Sequence, residues 1–176
     1  MTQRVLILAT NGFEQSELME PKAALEAAGF ETVVASPESG EIRGWKDKNW
    51  GESVAVDAFV GDVSESDFDA LMLPGGQMNP DILRMDERVI DLIAAFDEAE
   101  KPIAAICHAP WLLAEADIID GRNVTSWPSL HTDLENAGAV VLDEQVVVDG
   151  NLITSRKPGD IPAFNEALIA MLKEAA

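Results

Sequence analysis

The sequence predicts an α/β fold in which a mostly parallel sheet is covered by helices on both faces. Three observations predict it: short apolar runs recur along the chain, amphipathic stretches of helical period separate them, and glycine or proline closes several of them. Short apolar runs are typical of strands buried on both faces, and strands that alternate with helices form parallel sheets through right-handed crossovers. No linker or internal repeat interrupts residues 1–176, so we expect one domain.

Each predicted element rests on its own local pattern. The strands are apolar or β-branched runs, which in chain order are 4–9, 31–36, 69–73, 102–107 and 123–126, followed by a hairpin of 145–149 and 152–155. The predicted helices are segments in which apolar residues recur with a period near 3.6 residues. They are 16–28, 87–99, 108–116, 130–137 and 161–175. The segment 38–55 is the least regular, and we expect it to be a surface excursion. Trp45 and Trp50 within it are either packing anchors or a platform for substrate.

Composition excludes several classes of function. The chain has 12 basic and 32 acidic residues, a net charge of −20, whereas small soluble domains usually carry a magnitude of about 2–8. A broad basic face for nucleic acid is therefore not expected. The charge fits either an ordinary acidic protein or one whose surface carboxylates keep it hydrated in concentrated salt. No apolar run approaches the ~18 residues of a membrane span, and residues 1–9 do not resemble a secretory signal, so we expect a cytoplasmic protein that does not bind membranes.

The single cysteine, Cys107, is the first candidate for chemistry. One cysteine excludes a disulfide within the chain and zinc sites built on cysteine pairs, so we expect a protein that does not depend on a structural metal. Cys107 lies where a predicted strand meets a predicted helix, with small residues two positions away on both sides, Ala105 and Ala109. This small-x-nucleophile-x-small pattern is typical of a nucleophile elbow, in which the helix N-terminus favours a thiolate. The alternative is an inert buried cysteine.

Other polar groups follow neighbouring strands, whose carboxyl ends share one edge of a parallel sheet. His108 follows the cysteine and is a candidate base, or else an exposed histidine at a helix start. Glu14 follows the first strand and could share a proton with a thiolate, or merely complement a helix dipole. Gly75-Gly76 is either a plain turn or a place where backbone N–H groups approach a reacting oxygen. We expect His131 to support the site or to cap a helix.

Together these segments resemble the ThiJ/PfpI family of the class I glutamine amidotransferase-like superfamily. The resemblance runs along nearly the whole chain and is carried by 11–14 (NGFE), 71–76 (LMLPGG), 104–110 (AAICHAP) and 155–164 (SRKPGDIPAF). It implies a flavodoxin-like three-layer sandwich. It also implies Cys107 as nucleophile, Glu14 hydrogen-bonded to its sulfur, and the N–H groups of Gly76 and His108 as an oxyanion hole. In the PfpI branch a neighbouring subunit supplies a further carboxylate, for which Asp81 is the best match here.

The resemblance implies an enzyme without cofactor or metal. Activities in this family include an intracellular peptidase, a deglycase that acts on glyoxal adducts and a glyoxalase, so the implied substrate is a small aldehyde, a peptide or a protein. A stress-related cysteine hydrolase or lyase is therefore our prediction. The alternative is a non-enzymatic oxidation sensor or chaperone holdase that uses the same cysteine. Asp81 follows the Gly75-Gly76 turn, so we expect it at the rim of the site and expect at least a homodimer, or a hexamer, with sites at the interface. The alternative is that Asp81 only caps a helix.

Overall fold

Strands and helices alternate along most of the chain in the computed structural model, which describes residues 1–176. The strands are β1 (Arg4–Leu8), β2 (Phe13–Glu14), β3 (Glu31–Ser36), β4 (Glu41–Lys46), β5 (Asn49–Ala55), β6 (Ala58–Phe59), β7 (Ala70–Leu73), β8 (Ile103–Ile106), β9 (Asn123–Val124), β10 (Val140–Val141), β11 (Val147–Asp149) and β12 (Leu152–Ser155). The helices are α1 (Gln15–Ala27), α2 (Met78–Leu83), α3 (Glu87–Glu98), α4 (Pro110–Glu115), α5 (His131–Asn136) and α6 (Ile161–Glu174).

The central sheet has seven strands in the order β11-β12-β8-β7-β1-β3-β6. Every neighbouring pair is parallel except β11 with β12, which confirms the predicted mostly parallel sheet. The chain enters the sheet at β1 and builds outward on one side through β3, then on the other through β7, β8 and β12. A crevice therefore opens between the carboxyl ends of β1 and β7, where this kind of sheet places its functional groups.

Two hydrophobic cores lie on opposite faces of this sheet. Successive residues of β1 alternate between them: Leu6 and Leu8 face the side covered by α3, α4 and α5, whereas Val5 and Ile7 face the side covered by α1 and α6. The central strands β7 and β8 are apolar throughout because both of their faces are buried. This three-layer arrangement is the predicted sandwich, and none of its helices is long and apolar enough to cross a membrane.

The segment 38–55 lies at the surface as expected, with most residues of β5 exposed, but the expectation that it is irregular is wrong. This segment contains the antiparallel hairpin β4–β5, whose first strand also pairs with β2. Trp45 and Trp50 face each other across the hairpin as a perpendicular pair, with ring centroids 5.4 Å apart. The two central residues of the hairpin turn are Asp47 and Lys48, both with positive φ (51° and 63°). Two-residue turns of this kind usually contain Asn-Gly or Asp-Gly. The sequence therefore lacked the usual turn signal.

Candidate active site

Cys107 stands at a strained turn between β8 and α4. Its φ is +65°, a left-handed conformation that is uncommon for a residue with a side chain. Its N–H donates to Ser155 O (3.0 Å), which extends the β8–β12 ladder by one residue, and its carbonyl accepts from Trp127 N–H (2.8 Å). These two bonds hold the turn from both sides and leave the side chain 6% exposed. The geometry is that of the predicted elbow, and strain of this kind is concentrated at functional sites.

Glu17, in the first turn of α1, is the carboxyl beside the sulfur. Its side chain is completely buried, and Oε1 accepts a hydrogen bond from Gly75 N–H (3.1 Å). The carboxyl also interacts with the Cys107 thiol, and the two groups perturb each other's ionisation. A Cβ on Gly75 would lie 2.5 Å from Glu17 Oε1 and 2.6 Å from Cys107 Cβ, so the buried carboxyl and the nucleophile lie on either side of the same backbone position.

The structure corrects the expected partner of the sulfur from Glu14 to Glu17. Glu14 is the N-cap residue of α1 and stays half-buried near Asp47, where burial and that neighbouring charge raise its pKa. Three residues further along, Glu17 shares the inner face of the helix with Leu18, Pro21 and Leu25. A carboxylate inside that apolar stripe is the signal that could have identified it, because buried carboxyl groups need a specific reason.

Burial dominates the ionisation of both groups. It raises the pKa of Glu17 to about 8, with a further contribution from the charge of Glu14, so the carboxyl is protonated at neutral pH. Burial also raises the pKa of the Cys107 thiol, and the charge of an ionised Glu17 would raise it further. Two backbone N–H groups, those of Gly76 and His108, act in the opposite direction by hydrogen bonding to the sulfur. The thiol and the carboxyl are therefore two titratable groups whose ionisation is coupled, and they lie next to two backbone N–H donors.

The turn after β7 brings the Gly76 N–H to the sulfur. A side chain on Gly75 would lie 2.6 Å from Cys107 Cβ, and one on Gly76 would lie 2.5 Å from Gly12 O. Gly76 also has φ +85°. Only glycine fits a backbone packed this closely. The predicted donors, Gly76 and His108, are therefore both brought to Cys107.

Asn79, which sequence reasoning did not select, holds this turn in position. The side chain is fully buried, and its Oδ1 accepts from Thr10 N–H (2.8 Å). Its Nδ2 donates to Pro74 O (2.9 Å) and Gly75 O (3.1 Å). One amide therefore joins the ends of β1 and β7. No motif in the sequence distinguishes it from a polar residue at a helix start.

His108 lies beside the thiol, with Nδ1 3.2 Å from Cys107 Sγ. Burial lowers its pKa, so the imidazole is neutral at pH 7 and able to accept a proton. The ring lies between two indoles, those of Trp111 (centroids 5.3 Å apart) and Trp127 (5.8 Å). The thiol is its sole hydrogen-bond partner within the chain, so no carboxylate of the same chain orients it.

The other two candidates lie apart from this cluster. Asp81 is exposed in the first turn of α2 and makes no hydrogen bond or ion pair within the chain. It is not the helix cap, since Gln77 has that position. His131 begins α5 as predicted, but Leu130 is the N-cap residue, and the buried Nε2 of His131 makes no hydrogen bond. Neither residue takes part in the hydrogen bonds around Cys107.

The chain is similar to known proteins along nearly its whole length. The model of the DJ-1/PfpI family matches residues 3–171. Similar proteins include General stress protein 18 of Bacillus subtilis (45% identical over 99% of this chain and 100% of that one) and "Putative cysteine protease YraA" of the same organism (42%, over 98% and 100%). Protein/nucleic acid deglycase 2 of Escherichia coli is 40% identical over 98% of this chain and 99% of its own.

A solved structure gives the same result at the level of the fold. The DJ-1/ThiJ/PfpI-like and ferritin-like two-domain protein of Anabaena variabilis superposes with a TM-score of 0.93 and 37% identity. The match covers 98% of this chain and 48% of that two-domain chain. The fold is therefore the flavodoxin-like sandwich of these proteins, and the chain belongs to the DJ-1/PfpI family.

Proposed function

We propose that the protein is a cysteine-dependent enzyme that converts reactive dicarbonyls such as methylglyoxal, free or as adducts, into hydroxy acids. The observation that carries the proposal is the pairing of Cys107 with a buried carboxyl, Glu17, whose pKa is raised to about 8. A nucleophile with a proton-carrying neighbour is what this isomerisation requires. Relatives named as deglycases, at 40% identity, support the same substrate class.

The first step is addition of the sulfur to the aldehyde carbon. His108, neutral and 3.2 Å from the sulfur, takes the thiol proton. The S–C bond forms as the carbonyl electrons move to oxygen, where the N–H groups of Gly76 and His108 are suited to receive the charge. Glu17 gives its proton to this oxygen, which produces a hemithioacetal and leaves Glu17 ionised. A carboxylate is then available next to the new carbon centre.

The second step moves hydrogen between adjacent carbons. The hydrogen on the first carbon passes through Glu17 to the second carbon, and the hydroxyl hydrogen moves from the first oxygen to the second. A thioester of Cys107 results, and no oxidant is consumed. Water then adds to the thioester carbon and gives its proton to Glu17, which restores the protonated carboxyl. The C–S bond breaks, the Cys107 sulfur takes back the proton held by His108, and lactic acid leaves. The sum is methylglyoxal plus water giving lactic acid.

A peptidase is the second candidate, because the contact between His108 Nδ1 and Cys107 Sγ is also that of a cysteine protease pair. One observation favours the smaller substrate. The sulfur belongs to a residue that is only 6% exposed, so a small aldehyde reaches it more readily than a peptide bond within a chain.

We further propose that the protein assembles at least as a homodimer, in which Asp81 of one copy approaches the site of the other. Asp81 has no partner within the chain, and the neighbouring side chains Ile82 and Met85 are 44% and 77% exposed. A carboxylate surrounded by exposed apolar side chains suits a self-complementary contact. The added charge would stabilise the imidazolium of His108 once it holds the thiol proton.

The test is lactate production from methylglyoxal by the wild-type protein and by Cys107→Ser. We expect turnover in the wild type and at least a thousandfold loss in the variant, because hydroxyl is a far weaker nucleophile than thiolate at this position. Cleavage of casein that depends on Cys107, without lactate production, would favour the peptidase. Suppression of protein aggregation that survives in Cys107→Ser, with no turnover by either protein, would favour the holdase.

A further inference from the structure

The two indoles around His108 form a small aromatic enclosure, which we call the indole pair. The ring of Trp127 lies nearly parallel to the imidazole, with 20° between the planes and 5.8 Å between the centroids. The ring of Trp111 meets the imidazole edge-on at 63° and 5.3 Å. These are the favourable offset-stacked and T-shaped arrangements of aromatic rings. Two rings at different angles restrict an imidazole more than one ring does.

Both tryptophans are held by contacts that do not involve the imidazole ring. The backbone N–H of Trp127 donates to Cys107 O (2.8 Å), which holds the backbone of this residue next to the nucleophile. The indole of Trp111 donates from Nε1 to Asp133 Oδ2 (2.9 Å), and the guanidinium of Arg84 lies 5.5 Å from its ring centroid. The indole pair is therefore linked to the elbow through the backbone of Trp127 and to α5 through the side chain of Trp111.

His108 needs such support because its hydrogen bonding alone does not fix its orientation. The contact from Nδ1 to Sγ is its sole hydrogen bond within the chain, and the ring could rotate about that contact. In a nucleophile–histidine–carboxylate arrangement the carboxylate prevents this rotation and also stabilises the charged ring. Within one copy of this chain no carboxylate is bonded to His108.

We propose that Trp127, together with Trp111, is the positioning element that holds His108 with Nδ1 directed at the Cys107 sulfur. The indole pair thus fixes the orientation of the ring, and a carboxylate from a second copy would add only charge. The proposal rests on the role of His108 as proton acceptor in the proposed function. It concerns a contact between two side chains, however, so it can be tested without turnover.

The test compares Trp127→Leu, which removes the aromatic face, with Trp127→Phe, which retains one. Trp50→Leu is the matched control, because Trp50 is similarly exposed (43% against 38%) and packs edge-on against Trp45 in the hairpin. The first readout is the rate at which iodoacetamide alkylates Cys107 at pH 7. A base held at the thiol accelerates this reaction, so we expect Trp127→Leu to be about tenfold slower, and Trp127→Phe and Trp50→Leu to stay within about threefold of the wild type.

The second readout is the NMR titration of the imidazole rings. The chain has two histidines, so His131→Gln assigns the His108 signal. In Trp127→Leu the pKa of His108 should rise towards its ordinary value of 6.5, because water reaches a ring whose pKa is lowered by burial. In the wild type, ring-to-ring NOEs should connect His108 with Trp127. The proposal would be overturned if Trp127→Leu had the same alkylation rate and the same His108 pKa as the wild type. It would also be overturned if the wild type lacked these NOEs.

Methylglyoxal turnover separates this proposal from the proposed function. If the wild type produces lactate, Trp127→Leu should lower kcat by about tenfold with KM within about twofold, since a positioning defect acts on the reacting complex. A large increase in KM with kcat unchanged would instead show that Trp127 binds substrate and does not position His108. If the wild type produces no lactate, the proposed function fails, while the alkylation rates and the titration still decide the role of Trp127.

Discussion

Glu17 links the stability of the protein to the chemistry of its site. Its pKa of about 8 in the folded protein lies well above its ordinary value of 4.5, because the side chain is buried. The folded state therefore keeps a proton that the unfolded state releases above pH 4.5. Stability is consequently highest below pH 4.5 as far as this group is concerned, and it falls as the pH rises towards 8. The buried acid is kept at the expense of stability at neutral pH.

The fall in stability with rising pH leads to a prediction for Glu17→Gln. Because glutamine does not ionise, the variant should lose the decline in unfolding free energy between about pH 4.5 and 8, which amounts to at most about 5 kcal/mol. Urea unfolding at several pH values measures it, and the variant should be the more stable protein at pH 8. Glu20→Gln, an exposed change on the same helix, is the control and should follow the wild type. Parallel pH profiles for wild type and Glu17→Gln would contradict the assignment.

The residues at the site differ in how far the sequence could predict them. Cys107 could be predicted because a single cysteine between Ala105 and Ala109 at a strand–helix junction fits one backbone geometry. The N–H of His108 follows from the same geometry because it is the residue after the nucleophile, whereas the role of Gly76, which lies on a different turn, was implied by the family resemblance. The sequence pattern could not show which of Glu14 and Glu17 lies beside the sulfur. The two residues are three positions apart at the start of α1, so the exact start of the helix decides which carboxyl faces the sheet.

At the scale of elements, the turn between β7 and α2 places the Gly76 N–H, and its geometry can be tested. Gly76→Ala should be destabilised by positive φ and also by contact of the new methyl group with Gly12 O, 2.5 Å away. Gly29→Ala is the matched control, because Gly29 has φ +94° but no neighbour within 4 Å. We expect Gly29→Ala to cost about 1 kcal/mol and Gly76→Ala about 1–3 kcal/mol more. Thermal unfolding measures both costs, and equal costs would show that close packing at Gly76 is unimportant.

The elements that the sequence predicted best are those with strong periodicity. β3 begins and ends where it was expected, and α3 and α6 each end one residue earlier than expected. The hairpin β4–β5 was missed because its turn residues, Asp47 and Lys48, adopt positive φ without a glycine. α4 begins at Pro110, two residues later than expected, because the strained backbone at Cys107 delays the start of the helix. The residue types at these positions do not favour positive φ by themselves, so sequence propensity could not predict a backbone conformation that the surrounding turn imposes.

At the scale of the whole molecule, charge and assembly are connected. The chain carries a net charge of −20, so two copies repel each other unless a specific contact offsets the repulsion. The exposed apolar side chains beside Asp81 are a candidate for that contact. The sequence predicts the charge directly, whereas the contact depends on which side of α2 remains uncovered.

Asp81→Asn tests whether sites are shared between copies. The change is nearly isosteric and keeps the apolar side chains beside it, so the assembly measured by light scattering should be unchanged. Turnover should fall roughly tenfold, which corresponds to about 1.4 kcal/mol of lost stabilisation of the charged His108. Asp62→Asn, the same change at an exposed aspartate between β6 and β7, is the control and should retain activity. A fully active Asp81→Asn, or a wild type that is active as a monomer, would contradict shared sites.

The central claim is that Glu17, not Glu14, exchanges protons with the intermediate bound to Cys107. The rate of lactate formation from methylglyoxal by Glu17→Gln, compared with that by Glu14→Gln, tests it most directly. Both changes remove one carboxylate from α1 or its cap and keep the side-chain volume. We expect Glu17→Gln to lose at least a hundredfold in kcat, as is usual when a general acid–base is removed, and Glu14→Gln to stay within about threefold of the wild type. Substantial activity in Glu17→Gln, or a comparable loss in Glu14→Gln, would contradict the account.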